Sequence, residues 1–316
     1  MDAVERNAPV IVGVDGSATS YAAVSWAARE AQLHGCALHI VSALGALTPG
    51  GSGIRLPLSY FADRDRAVHA HLDEAAAIAR STHTETSKTE VVTDVLDGPE
   101  RPALLEASKH ARMIVVGSRG LGQITAALAG SVAVALAAHA HSPVVVIRGH
   151  AGQTSGTGDV FVGVDGTENS RPALSAAFEE ASVRATGLVA VHTWTQFAMS
   201  TALDDQLDLA WDEVEVAEQA VLAESLAGWS GRYPGTPVTR TVIQGNSAKE
   251  LRGRAAGAEL LVVGSHGRGG FAGMLIGSTS TVLLHTAECP LMIVRSDRRN
   301  GVGRQRPDVA PHRDGN

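Results

Sequence analysis

One stretch of this 316-residue chain is written twice, and that repetition sets the scale of any fold it adopts. Val10-Ile11-Val12-Gly13-Val14-Asp15-Gly16-Ser17 returns as Val160-Phe161-Val162-Gly163-Val164-Asp165-Gly166-Thr167. Ile114-Val115-Val116-Gly117-Ser118-Arg119-Gly120 returns as Leu261-Val262-Val263-Gly264-Ser265-His266-Gly267. Gly130-Ser131 returns as Gly277-Ser278, and the run from Pro143 to Arg148 returns as Pro290 to Arg295. The offset is 150 residues at the first motif and 147 at the last, so two domains of about 147 residues follow. Each is long enough to bury its own core. We place them at 8–148 and 159–296. A Gly/Ser/Thr-rich linker at 149–158 joins them, and a basic tail at 297–316 is expected to be disordered.

Within each copy, short apolar β-branched runs alternate with helical patterns. In the first, Val10 to Asp15, Ala37 to Ala43, Val91 to Leu96, Met113 to Val116 and Val144 to Arg148 read as buried strands. Ser17 is a helix N-cap, Val24, Ala27, Ala28 and Ala31 form one apolar stripe, and Gly35 ends that helix. Further helices are expected at 61–83, 102–110 and 131–140. In the second copy Pro172 sits where a helix begins. A helix over 205–229 carries Asp208, Asp212, Glu213, Glu215, Glu218 and Glu224 on a face expected to be solvated. Alternating strands and helices with continuous apolar strands imply an α/β fold. Each domain is a Rossmann-like, doubly wound parallel sheet with helices on both faces.

The chemistry lies in the spacing Gly117-x2-Gly120-x9-Gly130-Ser131, repeated as Gly264-x2-Gly267-x9-Gly277-Ser278. Each begins where an apolar strand ends and finishes where a helix starts. Open parallel sheets bind ligands at the carboxyl ends of their strands. Glycines let the main chain approach phosphate oxygens, and a helix N-terminus supplies free N–H groups and the positive end of its dipole. This is a phosphate cradle, and a Cβ at Gly117 or Gly264 is expected to impair it more than it impairs folding. Asp15 and Asp165 end the first strands, where a carboxylate can accept a hydrogen bond from a ribose hydroxyl or an adenine amine. Equally, each can shape an Asp-Gly-Ser/Thr turn. Val41 and Val191, at the second-strand ends, would offer main chain to the adenine. His139 and His141 lie two apart, with His285 near the matching place, and do not make a metal site.

Several chemistries are excluded. There is no Gly-x4-Gly-Lys-Ser/Thr loop, no Gly-x-Ser-x-Gly elbow and no Gly-x-Gly-x-x-Gly after the first strand. A phosphate-binding loop without a committed base or nucleophile describes holding rather than turnover, with slow hydrolysis left open. A net charge of −7 argues against nucleic acid. No apolar run is long enough to span a membrane, and the start of the chain lacks the apolar core of a signal peptide. Cys36 and Cys289 lack metal-ligand spacing and read as buried thiols. A cytoplasmic protein is expected.

Taken together, Val-Gly-Val-Asp-Gly-Ser, Ile-Val-Val-Gly-Ser-Arg-Gly, the glycine signature and the closing Pro-Val-Val-Val-Ile resemble the ATP-binding branch of the universal stress protein family. The resemblance covers both halves, and its tandem form is similar to two-domain actinobacterial members. It implies two adenine nucleotide α-hydrolase-like domains, each a five-stranded parallel sheet of order 3-2-1-4-5. It also implies one ATP per domain, with magnesium left open, and pairing of domains through the last strand. A homodimer, unidentified regulatory protein partners and a role in stress, dormancy or growth control are implied as well. Carried over by position, Gly13, Asp15 and Val41 would touch the adenosine. Gly117, Ser118, Arg119, Gly120, Leu121, Gly122 and Gln123 would wrap the phosphates, completed by Gly130, Ser131 and Val132. The second-half counterparts are Gly163, Asp165, Val191, Gly264, Ser265, His266, Gly267, Arg268, Gly269, Gly270, Gly277, Ser278 and Thr279. Leu121 stands where the second loop has Arg268, so the first is expected to hold phosphate more weakly, though both to bind.

Overall fold

The computed structural model describes residues 8–45, 57–82, 89–120, 129–149, 158–195, 211–268 and 275–296. The tail and most of the linker lie outside these residues. The first half runs β1 (Val10–Gly13), α1 (Ala18–His34), β2 (Leu38–Ala43), α2 (Leu58–Thr82), β3 (Val91–Leu96), α3 (Glu100–Ala107), β4 (Met113–Gly117), α4 (Ser131–His139) and β5 (Val144–Ile147). The second runs β6 (Val160–Val164), α5 (Arg171–Arg184), β7 (Leu188–Trp194), α6 (Trp211–Ser225), α7 (Trp229–Arg232), β8 (Val238–Gln244), α8 (Ser247–Arg254), β9 (Leu260–Gly264), α9 (Ser278–Thr286) and β10 (Leu291–Val294).

Local chemistry accounts for the boundaries. The Ser17 hydroxyl accepts the Ser20 N–H at 3.2 Å, and Gly35 closes α1 in the left-handed region at φ 62°. Val24, Ala27, Ala28 and Ala31 are all fully buried. Pro172 is the second residue of α5, where its missing N–H is still not needed.

The strand order is β3-β2-β1-β4-β5-β10-β9-β6-β7-β8. Within each half all pairings are parallel, in the order 3-2-1-4-5. Between the halves, β5 and β10 pair antiparallel, with Val145 opposite Met292. The halves therefore share one ten-stranded sheet. Alternate strand residues feed two cores, one on each face, and both cores run across the junction. Val12, Val115, Val145, Val162 and Met292 lie on one side. Ile11, Ile114, Val146, Leu261 and Ile293 lie on the other. Helices cover both faces, which is why the central strands such as β4, β5, β9 and β10 are apolar without alternation.

A buried charged network also joins the halves. His34 Nε2 lies 3.0 Å from Glu30 Oε1 and 3.2 Å from Glu180 Oε1. The Arg184 guanidinium pairs with the other oxygen of each carboxylate. Burial opposes a charge on His34, but the hydrogen bonds of Glu180 and Glu30 outweigh it and hold the imidazole up to about 9. Burial and then the Glu180 charge push Glu30 up to about 7. Burial would raise Glu180 as well, but Arg184 and His34 hold it well below the usual carboxylate range. Among the described residues these three donors are the one His/carboxylate group close enough to share a metal ion, and Arg184 already engages both carboxylates. Cys36 and Cys289 are buried, and burial pushes the Cys289 thiol up to about 12. No described helix is long and apolar enough to cross a membrane.

Candidate functional site

In the first half, β1 stands between β2 and β4, with Gly13 opposite Val41 on one side and Val116 on the other. Chain connections leave β1 and β4 in opposite directions, and the gap between them opens a cavity of 520 Å³. Gly13, Asp15, Val41, Gly117, Arg119, Gly120, Gly130, Ser131 and Val132 all line it. The equivalent cavity between β6 and β9 holds 390 Å³ and is lined by Gly163, Asp165, Val191, Gly264, His266, Gly267, Arg268, Gly277, Ser278 and Thr279. Both volumes fall in the range of small-molecule sites.

At the floor, Gly130 N–H donates to the Ser118 carbonyl at 2.7 Å, and Gly277 N–H to the Ser265 carbonyl at 2.7 Å. These bonds fix the start of α4 and α9. Each glycine is an N-cap with extended backbone and no side chain to satisfy the helix. The first-turn N–H groups of each helix therefore face the cavity with the dipole behind them. At Gly130 and Gly277 a Cβ would meet nothing nearer than 3.5 and 3.4 Å. Packing alone does not demand glycine there, which leaves the space in front for a ligand.

At the rim, Asp15 Oδ1 accepts the Ser17 N–H at 3.0 Å, and Asp165 Oδ1 accepts the Thr167 N–H at 2.9 Å. The turn-forming role of each aspartate is thus real, and each also borders its cavity. A Cβ at Gly120 would come within 2.4 Å of Asp15 Oδ2, so the second carboxylate oxygen faces the glycine loop. Ser17 and Thr19 hydroxyls donate to the Arg119 carbonyl at 3.2 and 2.5 Å, anchoring that loop to the start of α1.

Three expectations need correction. Ser118 and Ser265 do not line the cavities. They are buried beneath, and their main-chain N–H groups bond to Ile147 and Val294 at 2.7 and 2.8 Å. A strand end alternates its side chains, so the residue after the last glycine of β4 or β9 points into the protein. Second, Gly117 is glycine because of packing. A Cβ there would lie 2.7 Å from Thr19 C and 2.8 Å from Ser20 N, both main chain of α1. Third, Glu218 is not on a solvated face. Its carboxylate meets buried His192 Nε2 at 2.6 Å, and His192 Nδ1 donates to the Val164 carbonyl at 2.7 Å. Arg268 reaches the same cluster, 3.4 Å from Glu218 Oε2, and bonds to the Asp165 carbonyl. The extra charge of the second loop is therefore partly engaged by the protein itself. Leu121, Gly122, Gln123, Gly269 and Gly270 lie outside the described residues.

Some lining residues escaped the sequence reading. Ser20 and Ser170, and Leu104 and Leu251, occupy matching positions in the two halves. Their shared repeat offsets were the available signal. Arg64 and His71 line only the first cavity and come from α2, where polar residues at helical spacing read as an outer face.

Comparison with known proteins places this geometry. The model of the universal stress protein family matches residues 7–148 and again 157–295. A universal stress protein of Mycolicibacterium smegmatis is 40% identical over 291 residues, covering 90% of this chain and 96% of its own. One from Mycobacterium tuberculosis is 36% identical over 293 residues, covering 90% and 96%. A universal stress protein structure from Archaeoglobus fulgidus superposes with a TM-score of 0.64 at 18% identity, over 91% of this chain and 98% of that one, and shares the fold.

Proposed function

The chain belongs to the universal stress protein family, and from that premise we propose that each half holds one ATP as a regulatory ligand without efficient turnover. The observation that carries this reading is the cradle built twice. In each half an uncapped helix N-terminus behind a glycine meets a strand-end aspartate across a cavity of nucleotide size. The donor set suits phosphate: main-chain N–H groups, the Ser131 and Ser278 hydroxyls, and Arg119 or Arg268. Val41 and Val191 offer apolar walls for a base.

Holding is favoured over hydrolysis by the placement of the serine–histidine contact seen among the described residues of the second half. Ser265 Oγ lies 3.0 Å from His266 Nδ1, but Ser265 is buried outside the cavity lining and presents no nucleophile to a ligand. A holding module works through partners, so we also propose a cytoplasmic protein whose nucleotide state is read by a regulatory protein. The β5 edge is already used by β10, so a homodimer would need another face.

Mass spectrometry of nucleotide released from the purified protein, followed by calorimetry with ATP with and without magnesium, tests the reading. About two ATP per chain are expected. Gly130→Ala and Gly277→Ala should each remove one binding event while leaving unfolding unchanged. No released nucleotide and no calorimetric binding would overturn the proposal, and stoichiometric ADP would favour an ATPase.

A further inference from the structure

The two cradles are joined by a single helix. α9 begins at Gly277-Ser278, the floor of the second cavity, and ends against the floor of the first. In its last turn, His285 Nδ1 accepts the main-chain N–H of Ala129 at 2.8 Å. Ala129 is buried and directly precedes Gly130, the N-cap of α4 and the base of the first cradle. The neighbouring carbonyl, Leu284, accepts from Arg148 Nη1 at 3.3 Å. Burial, and then the charge of Arg119 in the first cradle, pull Arg148 below its ordinary value. A nine-residue helix spans roughly 13 Å, so the two floors are ends of one short rigid element.

The histidine contact runs one way, whereas the arginine contact is returned: Arg295 Nη1 donates to the Ala140 carbonyl at the end of α4 at 3.1 Å. At the 147-residue offset, His285 corresponds to Ala138, which has no ring nitrogen to offer the second cradle. Because a main-chain N–H only donates, His285 must accept through an unprotonated Nδ1 and carry its proton on Nε2. This leaves Ala129 N–H satisfied and the approach to Gly130 fixed.

We propose that His285 is a positioning residue for the first nucleotide site, supplied by the second half, so that the first cradle is ordered through the helix that carries the second. This rests on reading the cradles as nucleotide sites. Phosphate at Ser278 would seat the N-terminus of α9, and its C-terminus holds Ala129. Communication then needs no path beyond α9 itself.

The test is hydrogen-exchange mass spectrometry during an ATP titration of the full chain, following the segments 129–133 and 276–280 separately. In the wild-type protein ATP should protect both. In His285→Ala, segment 129–133 should exchange faster before ATP is added, and its protection midpoint should move to roughly 5- to 10-fold higher ATP. Segment 276–280 should keep its midpoint. His285→Asn puts an acceptor oxygen near the place of Nδ1 and should restore the first midpoint, which separates positioning from a general loss of structure. Unchanged midpoints in His285→Ala, or equal shifts in both segments, would overturn the proposal while leaving the nucleotide reading intact. If ATP protects neither segment in the wild type, the nucleotide reading falls and the proposal with it.

Discussion

Gly117→Ala is expected to damage folding, and the size of the effect follows from three distances. The new Cβ would sit 2.7, 2.8 and 2.9 Å from Thr19 C, Ser20 N and Thr19 O. Ordinary contacts begin near 3.4 Å, so β4 and the first turn of α1 must separate by about 0.7 Å. All three neighbours are main chain, which cannot rotate away as a side chain can. Overpacking of this kind costs about 1–3 kcal/mol, and the rigidity of both partners puts this case at the upper end. Replacing glycine returns roughly 0.4–1 kcal/mol through the unfolded chain, leaving a net loss of about 2 kcal/mol. Gly264→Ala is the internal control. Its nearest neighbours are the His266 and Asn169 carbonyls at 3.3 and 3.5 Å, so the same two effects nearly cancel. In urea unfolding, Gly117→Ala should lose about 2 kcal/mol, and Gly264→Ala should stay within roughly 0.5 kcal/mol of wild type. Equal losses, or a near-neutral Gly117→Ala, would refute the reasoning, because the two sites share a motif and differ only in what stands behind it.

Three further outcomes are expected. Arg184→Met strands the buried Glu30 and Glu180 carboxylates and should cost about 3–5 kcal/mol in urea unfolding; a triple variant that also carries Glu30→Gln and Glu180→Gln should recover most of it. The His34 imidazole is held from its ordinary 6.5 up to about 9, and a raised folded value gives stability that is full below 6.5 and lost as pH rises through 9. Glu30, raised to about 7, acts in the same sense. Unfolding followed from pH 6.5 to 10 should therefore show a decline of at most about 3 kcal/mol that His34→Gln flattens, and a flat wild-type profile would rule the network out as its source. Asp15→Asn keeps an oxygen for the Ser17 N–H, so stability should change by less than about 0.5 kcal/mol while ATP affinity falls roughly tenfold; unchanged affinity would reduce Asp15 to a turn residue.

Much of the molecule was legible in the chain because the signals are local. The apolar runs ending at Gly13 and Gly117, the cap at Ser17, the stop at Gly35 and the glycine loop before Ser131 each depend on neighbours a few residues away. The repeat turned those local signals into two copies of one domain, and with them most of both cavity linings.

What only the tertiary structure decided are contacts between residues far apart in sequence. Ala129 and His285 are 156 residues apart, and Glu30 and Arg184 are 154 apart. Periodicity carries no trace of such pairs. Ser118 looked like a ligand because it lies inside the motif, and the pleat of β4 turned it inward. Gly117 looked like a phosphate glycine, and the approach of α1 gave it a packing role. The sequence determined two sheets of five strands, since strand composition and turn chemistry are properties of short segments. Their fusion through β5 and β10 is the last-strand pairing that the family resemblance implied, though no local signal encodes it, and the helix that links the two cavities depends on helix ends that meet only after each half has folded.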